Sequence, residues 1–224
     1  MYVTLSDQAI SADAEATLQH VQTTSGCQNR YNAGAHLFFE GDTSENVYEI
    51  RSGVLRLTRV LENGRRQVIA FGLPGDIVGF PNGDLHHTNC DAITKAEVIS
   101  HRRKTLESGA GDPALHQHLL QSALREISAM QDHFMMLARK SALEKVASFL
   151  LVLSRRMGTP IANYSTFALP MMRADIADFL GLTIETVSRT FTLLRKAGII
   201  ALQSPQTVLV RDMQRLIDAS QLAE

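Results

Sequence analysis

The stretch Met172-Arg-Ala-Asp-Ile-Ala-Asp-Phe-Leu-Gly-Leu-Thr-Ile-Glu-Thr-Val-Ser-Arg-Thr-Phe-Thr-Leu-Leu-Arg-Lys-Ala-Gly198 decides the fold of this 224-residue chain. A short helix through Arg173 to Leu180 buries Ile176, Ala177 and Leu180, then meets Gly181, a residue that takes a left-handed turn without steric cost. Thr183 caps the next helix, which sets Ile184, Val187, Phe191 and Leu194 at 3, 4, 3 spacing on its inner face. Glu185, Ser188, Arg189 and Thr192 fall on the other side. Small Ala177, the turn glycine and apolar Val187 are what two tightly crossing helices require, so the segment reads as a helix-turn-helix. Thr190 departs from the pattern, and Phe191 beside it takes over the packing expected there.

Downstream, Gly198-Ile-Ile-Ala-Leu and Thr207-Val-Leu-Val-Arg211 bracket Ser204-Pro205-Gln206, the pattern of a small hairpin wing. The outer helix face then acquires chemical meaning. Arg189 can give two parallel hydrogen bonds to O6 and N7 of guanine, Glu185 can accept from an exocyclic amine, and Ser188 can meet a neighbouring base edge. Arg173, Arg195, Lys196 and Arg211 suit phosphates, which set register without reading sequence, and Thr183 and Thr192 lie beside them. On an isolated helix, Glu185 and Arg189 would be an ordinary solvated pair four residues apart. Behind a well-formed turn, they read as a DNA-facing strip.

Working back from that segment, Ser141 to about Met157 reads as an apolar helix stopped by the loop Gly158-Thr159-Pro160. Before it the apolar period is seven. Leu120, Ile127 and Phe134 form one row, and Ala123, Met130 and Leu137 form another. Asp112-Pro113 suits the start of this helix, with an acidic cap followed by proline. A helix of about 25 residues is about 40 Å long, too long to hide its stripe under a small domain. A homodimer is the economical explanation.

From Tyr31 the texture is β-type, punctuated by Gly34, Gly41, Gly53, Gly64 and Gly75, the last four separated by 12, 11 and 11 residues. That is the turn spacing of an antiparallel sandwich or roll. Val54 to Val60 alternates as a half-buried strand, Asn63-Gly64 marks a hairpin to Gln67–Phe71, and Asp91 to Ser100 reads as the final strand. The first thirty residues carry little signal beyond a possible helix around Asp13 to Val21. The expected fold is α+β: a β-roll over residues 1–111, a dimerisation helix over 112–138, and a winged helix-turn-helix over 139–224.

Composition agrees. At 45% hydrophobic and 20% charged the chain holds enough apolar residues for real cores. No apolar run approaches a membrane span or the core of a signal peptide, so a cytoplasmic protein without membrane attachment is expected. The net charge of -1 conceals a gradient, with 11 basic against 7 acidic residues in 139–224 and 11 against 16 before them. An acidic front and a basic rear point to a polyanionic partner for the rear half. Cys27 and Cys90 alone supply neither a disulfide framework nor four thiolates for an iron–sulfur site.

Taken together, the glycine-punctuated roll, the seam helix and Glu185-x-x-Ser188-Arg189 resemble the CRP/FNR superfamily of bacterial transcription regulators, from Tyr31 onward. Leu180-Gly-Leu-Thr-Ile-Glu-Thr-Val-Ser-Arg189 and Leu73-Pro-Gly-Asp-Ile-Val-Gly-Phe80 are most similar to its FNR and FixK branches. The resemblance implies a homodimer on a two-fold symmetric operator with TTGA-like half-sites, Arg189 on the G, and surfaces for RNA polymerase, usually for activation. It also implies control of low-oxygen or nitrogen-fixation genes.

Two departures narrow the resemblance. Gly79-Phe80-Pro81 and Cys90-Asp91 stand where the cAMP-binding branch has a Gly-Glu-Leu segment and an arginine pair, so an anionic phosphate would meet Asp91. The early cysteine cluster of the oxygen-sensing branch is also missing. A FixK-like regulator without a cofactor is therefore expected.

Two rival readings compete with this one. His86, His87 and Cys90, with His101, have ligand-type side chains at close spacing, which suggests a haem- or metal-sensing regulator of the same fold against a plain solvated loop. A cupin-like metalloenzyme with a helical tail would need a His-x-His pattern that the sequence lacks. No phosphate-cradling loop or nucleophile motif appears either, so no enzyme, catalytic residue or metal site is expected.

Overall fold

Alternating apolar residues between Cys27 and Arg102 build eight strands: β1 (Cys27–Tyr31), β2 (His36–Phe38), β3 (Asn46–Ser52), β4 (Leu55–Val60), β5 (Arg66–Gly72), β6 (Ile77–Val78), β7 (Asn89–Ala92) and β8 (Ala96–Arg102). This computed structural model describes residues 27–80, 83–108, 112–161 and 164–221, so the helix expected around Asp13 to Val21 lies outside the described residues. The described residues divide into two units, one from the stretches 27–60 and 70–128, the other from 61–69 and 129–221.

Strands β1 to β8 form two sheets, ordered β1-β8-β3-β6 and β2-β7-β4-β5. Phe38, Leu55, Cys90 and Ala92 from one sheet meet Ile50, Val78, Ala96 and Val98 from the other in a single core. Gly53, at φ 85°, makes the reversal between β3 and β4, and a Cβ there would collide with the Lys95 carbonyl and Ala96. The final strand expected from Asp91 to Ser100 is instead two strands in different sheets. The chain crosses over at Ile93–Lys95, where Ile93 N–H donates to the Val54 carbonyl at 2.8 Å and Thr94 Oγ1 accepts from Val54 N–H at 2.9 Å. Those bonds to one residue turn the strand out of its sheet.

Helix α1 (Arg103–Ser108) follows, then α2 (Pro113–Arg139). Asp112 Oδ1 accepts from Leu115 N–H at 2.9 Å, the acidic cap expected before Pro113. Leu115 and Leu119 of α2 pack with Val47 and Ile77 in a second cluster of the same unit.

In the second unit α2 is followed by α3 (Ala142–Met157), where Ser141 and Glu144 form a reciprocal capping box. Val146, Ala147, Phe149, Leu150 and Leu153 are fully buried. The loop expected after Met157 is partly a strand, β9 (Thr159–Ile161), paired with β10 (Tyr164–Ala168). Next come α4 (Arg173–Leu180), α5 (Ile184–Lys196), β11 (Ile200–Ser204), β12 (Thr207–Val210) and α6 (Met213–Ser220). The expected two-stranded wing is the edge of a four-stranded sheet ordered β11-β12-β10-β9.

One buried ionic contact in the first unit has a pH consequence. Glu49 on β3 is buried, with His101 Nε2 of β8 at 3.0 Å and Arg51 at 3.4 Å. Burial alone would raise the Glu49 carboxyl, but the His101 hydrogen bond and the Arg51 charge outweigh it and hold the carboxyl below its ordinary 4.5. A lowered carboxyl contributes stability that is present above the unfolded value and drains as pH falls through the folded one. Urea titrations of wild type should therefore lose stability more steeply below pH 4.5 than those of Glu49→Gln; equal slopes would remove Glu49 from the acid limb.

Candidate nucleic-acid interface

Helix α4 ends because Gly181 sits at φ 62°, ψ 42°, and its N–H turns back to the carbonyls of Ala177 and Asp178. Leu182 N–H also donates to the Ala177 carbonyl at 2.8 Å, which closes the turn. Thr183 then caps α5, its Oγ1 accepting from Thr186 N–H at 3.1 Å. Val187, Phe191 and Leu194 are buried as expected from the spacing. Thr190 is buried too, and its hydroxyl donates to the Thr186 carbonyl at 2.8 Å, so a polar residue fits that inner position.

Ile184 departs from the expectation. The spacing puts it on the inner face, but it is 48% exposed, and burial on that face begins only at Val187. An apolar side chain therefore stands beside Glu185 at the outer start of the helix. The 3, 4, 3 spacing could not reveal this, since it gives direction around the helix but not where the neighbouring helix stops.

Glu185, Ser188 and Arg189 are exposed together on α5. Ser188, Arg189, Thr192, Leu193 and Lys196 line one shallow groove. The Glu185 carboxyl is held below its ordinary value first by its own backbone N–H at the helix start, then by Thr183, with the Arg189 charge the smallest favourable influence. It is thus kept as an ionised acceptor by the helix end more than by pairing with Arg189. Thr192 donates to the Ser188 carbonyl at 3.0 Å, and Arg195 and Arg211 are exposed.

Arg173 is placed differently from the other cations. Its guanidinium lies 3.7 Å from the centre of the Phe191 ring, and burial pulls its pKa below the ordinary arginine value. It joins α4 to α5. Arg215, which the sequence reading passed over, donates to the Ala197 carbonyl at 2.9 Å, placing a cation at the C-terminal end of α5.

Several contacts orient α4 within this unit. Arg66 meets Asp175, 1% exposed, at 2.6 Å. Val68 N–H donates to Asp178 Oδ2 at 2.7 Å, and Gln67 Nε2 donates to the Asp178 carbonyl at 2.7 Å. On the opposite flank His133 stacks on Phe179 with ring centres 4.4 Å apart, and burial pushes its pKa down to about 4.

Among the described residues no group of three or more His, Cys, Asp or Glu is arranged to hold a metal. His86 is buried and stacks on Phe38 at 3.8 Å rather than lying in a solvated loop. Cys90 is fully buried, which pushes its thiol far up, while Cys27 is exposed on β1. Buried, protonated Cys90 is unsuited to act as a reactive thiolate.

Comparison with known proteins matches residues 28–109 to the cyclic nucleotide-binding domain family and residues 144–219 to the Crp-like helix-turn-helix domain family. The roll does not fit a cyclic nucleotide. Arg56, the cation opposite Asp91, is already bidentate to it at 2.8 and 3.2 Å, and Phe38, Tyr48 and His86 crowd Gly79. The nitrogen fixation regulation protein FixK of Azorhizobium caulinodans is 40% identical over 211 residues, 93% of this chain and 85% of its own. The transcriptional activatory protein AadR of Rhodopseudomonas palustris is 41% identical over 187 residues, 83% of this chain and 78% of its own. The solved structure of FixK2 from Bradyrhizobium japonicum superposes with a TM-score of 0.79 at 36% identity, covering 90% of this chain and all of that one.

The left-handed turn is testable by itself. Gly181→Ala should cost about 1–2 kcal/mol in urea unfolding, the strain of an L-residue at positive φ, and Gly181→Asn should recover part of it. The nearest atom to an added Cβ is Leu137 Cδ2, at 4.0 Å. An unchanged midpoint for Gly181→Ala would mean that the turn relaxes.

Proposed function

The chain belongs to the FixK-like branch of the CRP/FNR superfamily of transcription regulators, and we propose that it activates low-oxygen or nitrogen-fixation genes from a palindrome with TTGA-like half-sites. It is a DNA-binding transcriptional activator rather than an enzyme, and family membership supports DNA binding as a dimer. The observation that carries the finer reading is the joint exposure of Glu185, Ser188 and Arg189 on a helix whose opposite face is buried.

In this reading Arg189 donates to O6 and N7 of the half-site guanine, Glu185 accepts from a base amine, and Ser188 meets the adjoining edge. A helix of about 10–12 Å diameter matches a major groove about 12 Å wide. Arg195, Lys196 and Arg211 take phosphates, Thr183 and Thr192 flank them, and Arg173 reaches a phosphate only from its place over Phe191. Residues 139–224 act as the DNA-binding part and 1–111 as a roll that needs no bound cofactor, working in the cytoplasm with RNA polymerase as a protein partner. No described helix is long and apolar enough to cross a membrane.

The dimer would form along α2, residues 112–138. Leu120, Ile127, Met130 and Phe134 are exposed on that helix, Phe134 at 70%, while Ala123 and Leu137 are half-buried. Leu124 and Met135, outside the seven-residue rows, are exposed as well and widen the apolar stripe. A second copy of the same helix is the partner whose chemistry matches.

Two measurements test this function. In gel shifts Arg189→Ala should lose the preference for the G-containing half-site, about 1–3 kcal/mol per half-site, whereas Lys196→Ala should weaken all duplexes alike and shallow the salt dependence. Retained sequence preference in the first variant would reject the base-reading role. By sedimentation Ile127→Asp should be monomeric; a dimeric variant would put the interface elsewhere.

A further inference from the structure

We propose that Leu193 reads a thymine methyl group, a specificity contact beyond Glu185, Ser188 and Arg189 that rests on the DNA-reading role of α5. Leu193 is 58% exposed, although Val187, Phe191 and Leu194 already fill the inner face of the helix. It lies one turn beyond Arg189 on the same side, since residues four apart are neighbours on a helix surface. It lines the same groove as Ser188, Arg189, Thr192 and Lys196.

The charge around it narrows the occupant. Arg189 precedes Leu193 by four residues and Lys196 follows by three, so a large apolar side chain is bracketed by two exposed cations. A partner that satisfies both must carry dense negative charge with an apolar group set within it. Duplex DNA does so in one place, the major-groove edge of thymine, whose C5-methyl projects beside the phosphate wall. The neighbouring Thr192 hydroxyl already donates to the Ser188 carbonyl, which leaves Leu193 as the principal reading side chain on this turn. A rise of about 1.5 Å per residue puts Leu193 about 6 Å beyond Arg189 along the axis. That is nearly two base-pair steps of about 3.4 Å from the guanine that Arg189 reads.

The test is a deoxyuridine scan of the palindromic operator, with the full chain as binder and each thymine in turn replaced by deoxyuridine, which removes only the methyl. Wild type should lose about fourfold in affinity per half-site at one thymine about two steps from the guanine, the factor that burying one methyl-sized group gives. Leu193→Ala should bind the all-thymine operator about fourfold more weakly and show no further loss at that position, while Leu193→Met should keep the methyl response. A flat scan for wild type, or a Leu193→Ala scan with the wild-type profile, overturns the proposal, the second outcome placing Leu193 against sugar and phosphate. Arg189→Ala on the same operators keeps the two readings apart. If it loses its preference for guanine while the uridine scan stays flat, base reading by α5 stands and the thymine contact alone falls.

Discussion

Gly181 sets the direction in which α5 leaves α4. Only three residues, Gly181 to Thr183, separate the two helices, and the first takes φ 62° and ψ 42° with its N–H returned to the end of α4. So short a link brings the helices together, and Val187, Thr190, Phe191 and Leu194 become the side that packs. With about 3.6 residues per turn, burying those four leaves Glu185, Ser188 and Arg189 outside. The exposed strip is thus a consequence of one left-handed residue and the core behind it.

That geometry persists because α4 is held from more than one side. Asp175 is almost wholly buried, and a carboxylate in that position is costly unless it is paired. Arg66 supplies the partner, while Asp178 is engaged through both its side chain and its carbonyl. Phe179 stacks on His133 and meets Phe149 at a tilt. Arg173 is committed to Phe191. The acidic residues of α4, Asp175 and Asp178, therefore serve internal contacts, and the exposed cations of the motif, Arg189, Arg195 and Lys196, all belong to α5.

The helix-turn-helix was legible because each requirement falls on a different residue type: glycine at the turn, threonine at the cap, apolar side chains at helical spacing. The paired strands and the cap at Asp112 were legible for the same reason. Ile184 was not, because periodicity says which way a side chain points and not whether anything lies there. The crossover after β7 was missed because residues 91–100 are apolar enough for one strand, and only the bonds of Ile93 and Thr94 to Val54 divide them. Strand β9 is three exposed residues including a proline, and its existence depends on its register with β10. Arg66 with Asp175 is separated by 109 residues, a distance at which no local pattern speaks.

A chain of net charge -1 is drawn to a polyanion by where its cations stand rather than by their total. The basic surplus lies in residues 139–224, yet Lys140 donates to Ser148 and Ser220, Arg173 is stacked on an aromatic ring, and Arg215 serves a carbonyl. Arg189, Arg195, Lys196 and Arg211 remain exposed on and after the recognition helix, so the attraction is local to that face. Phosphates attract such a face whatever the sequence, so discrimination between duplexes has to come from side chains that reach base edges.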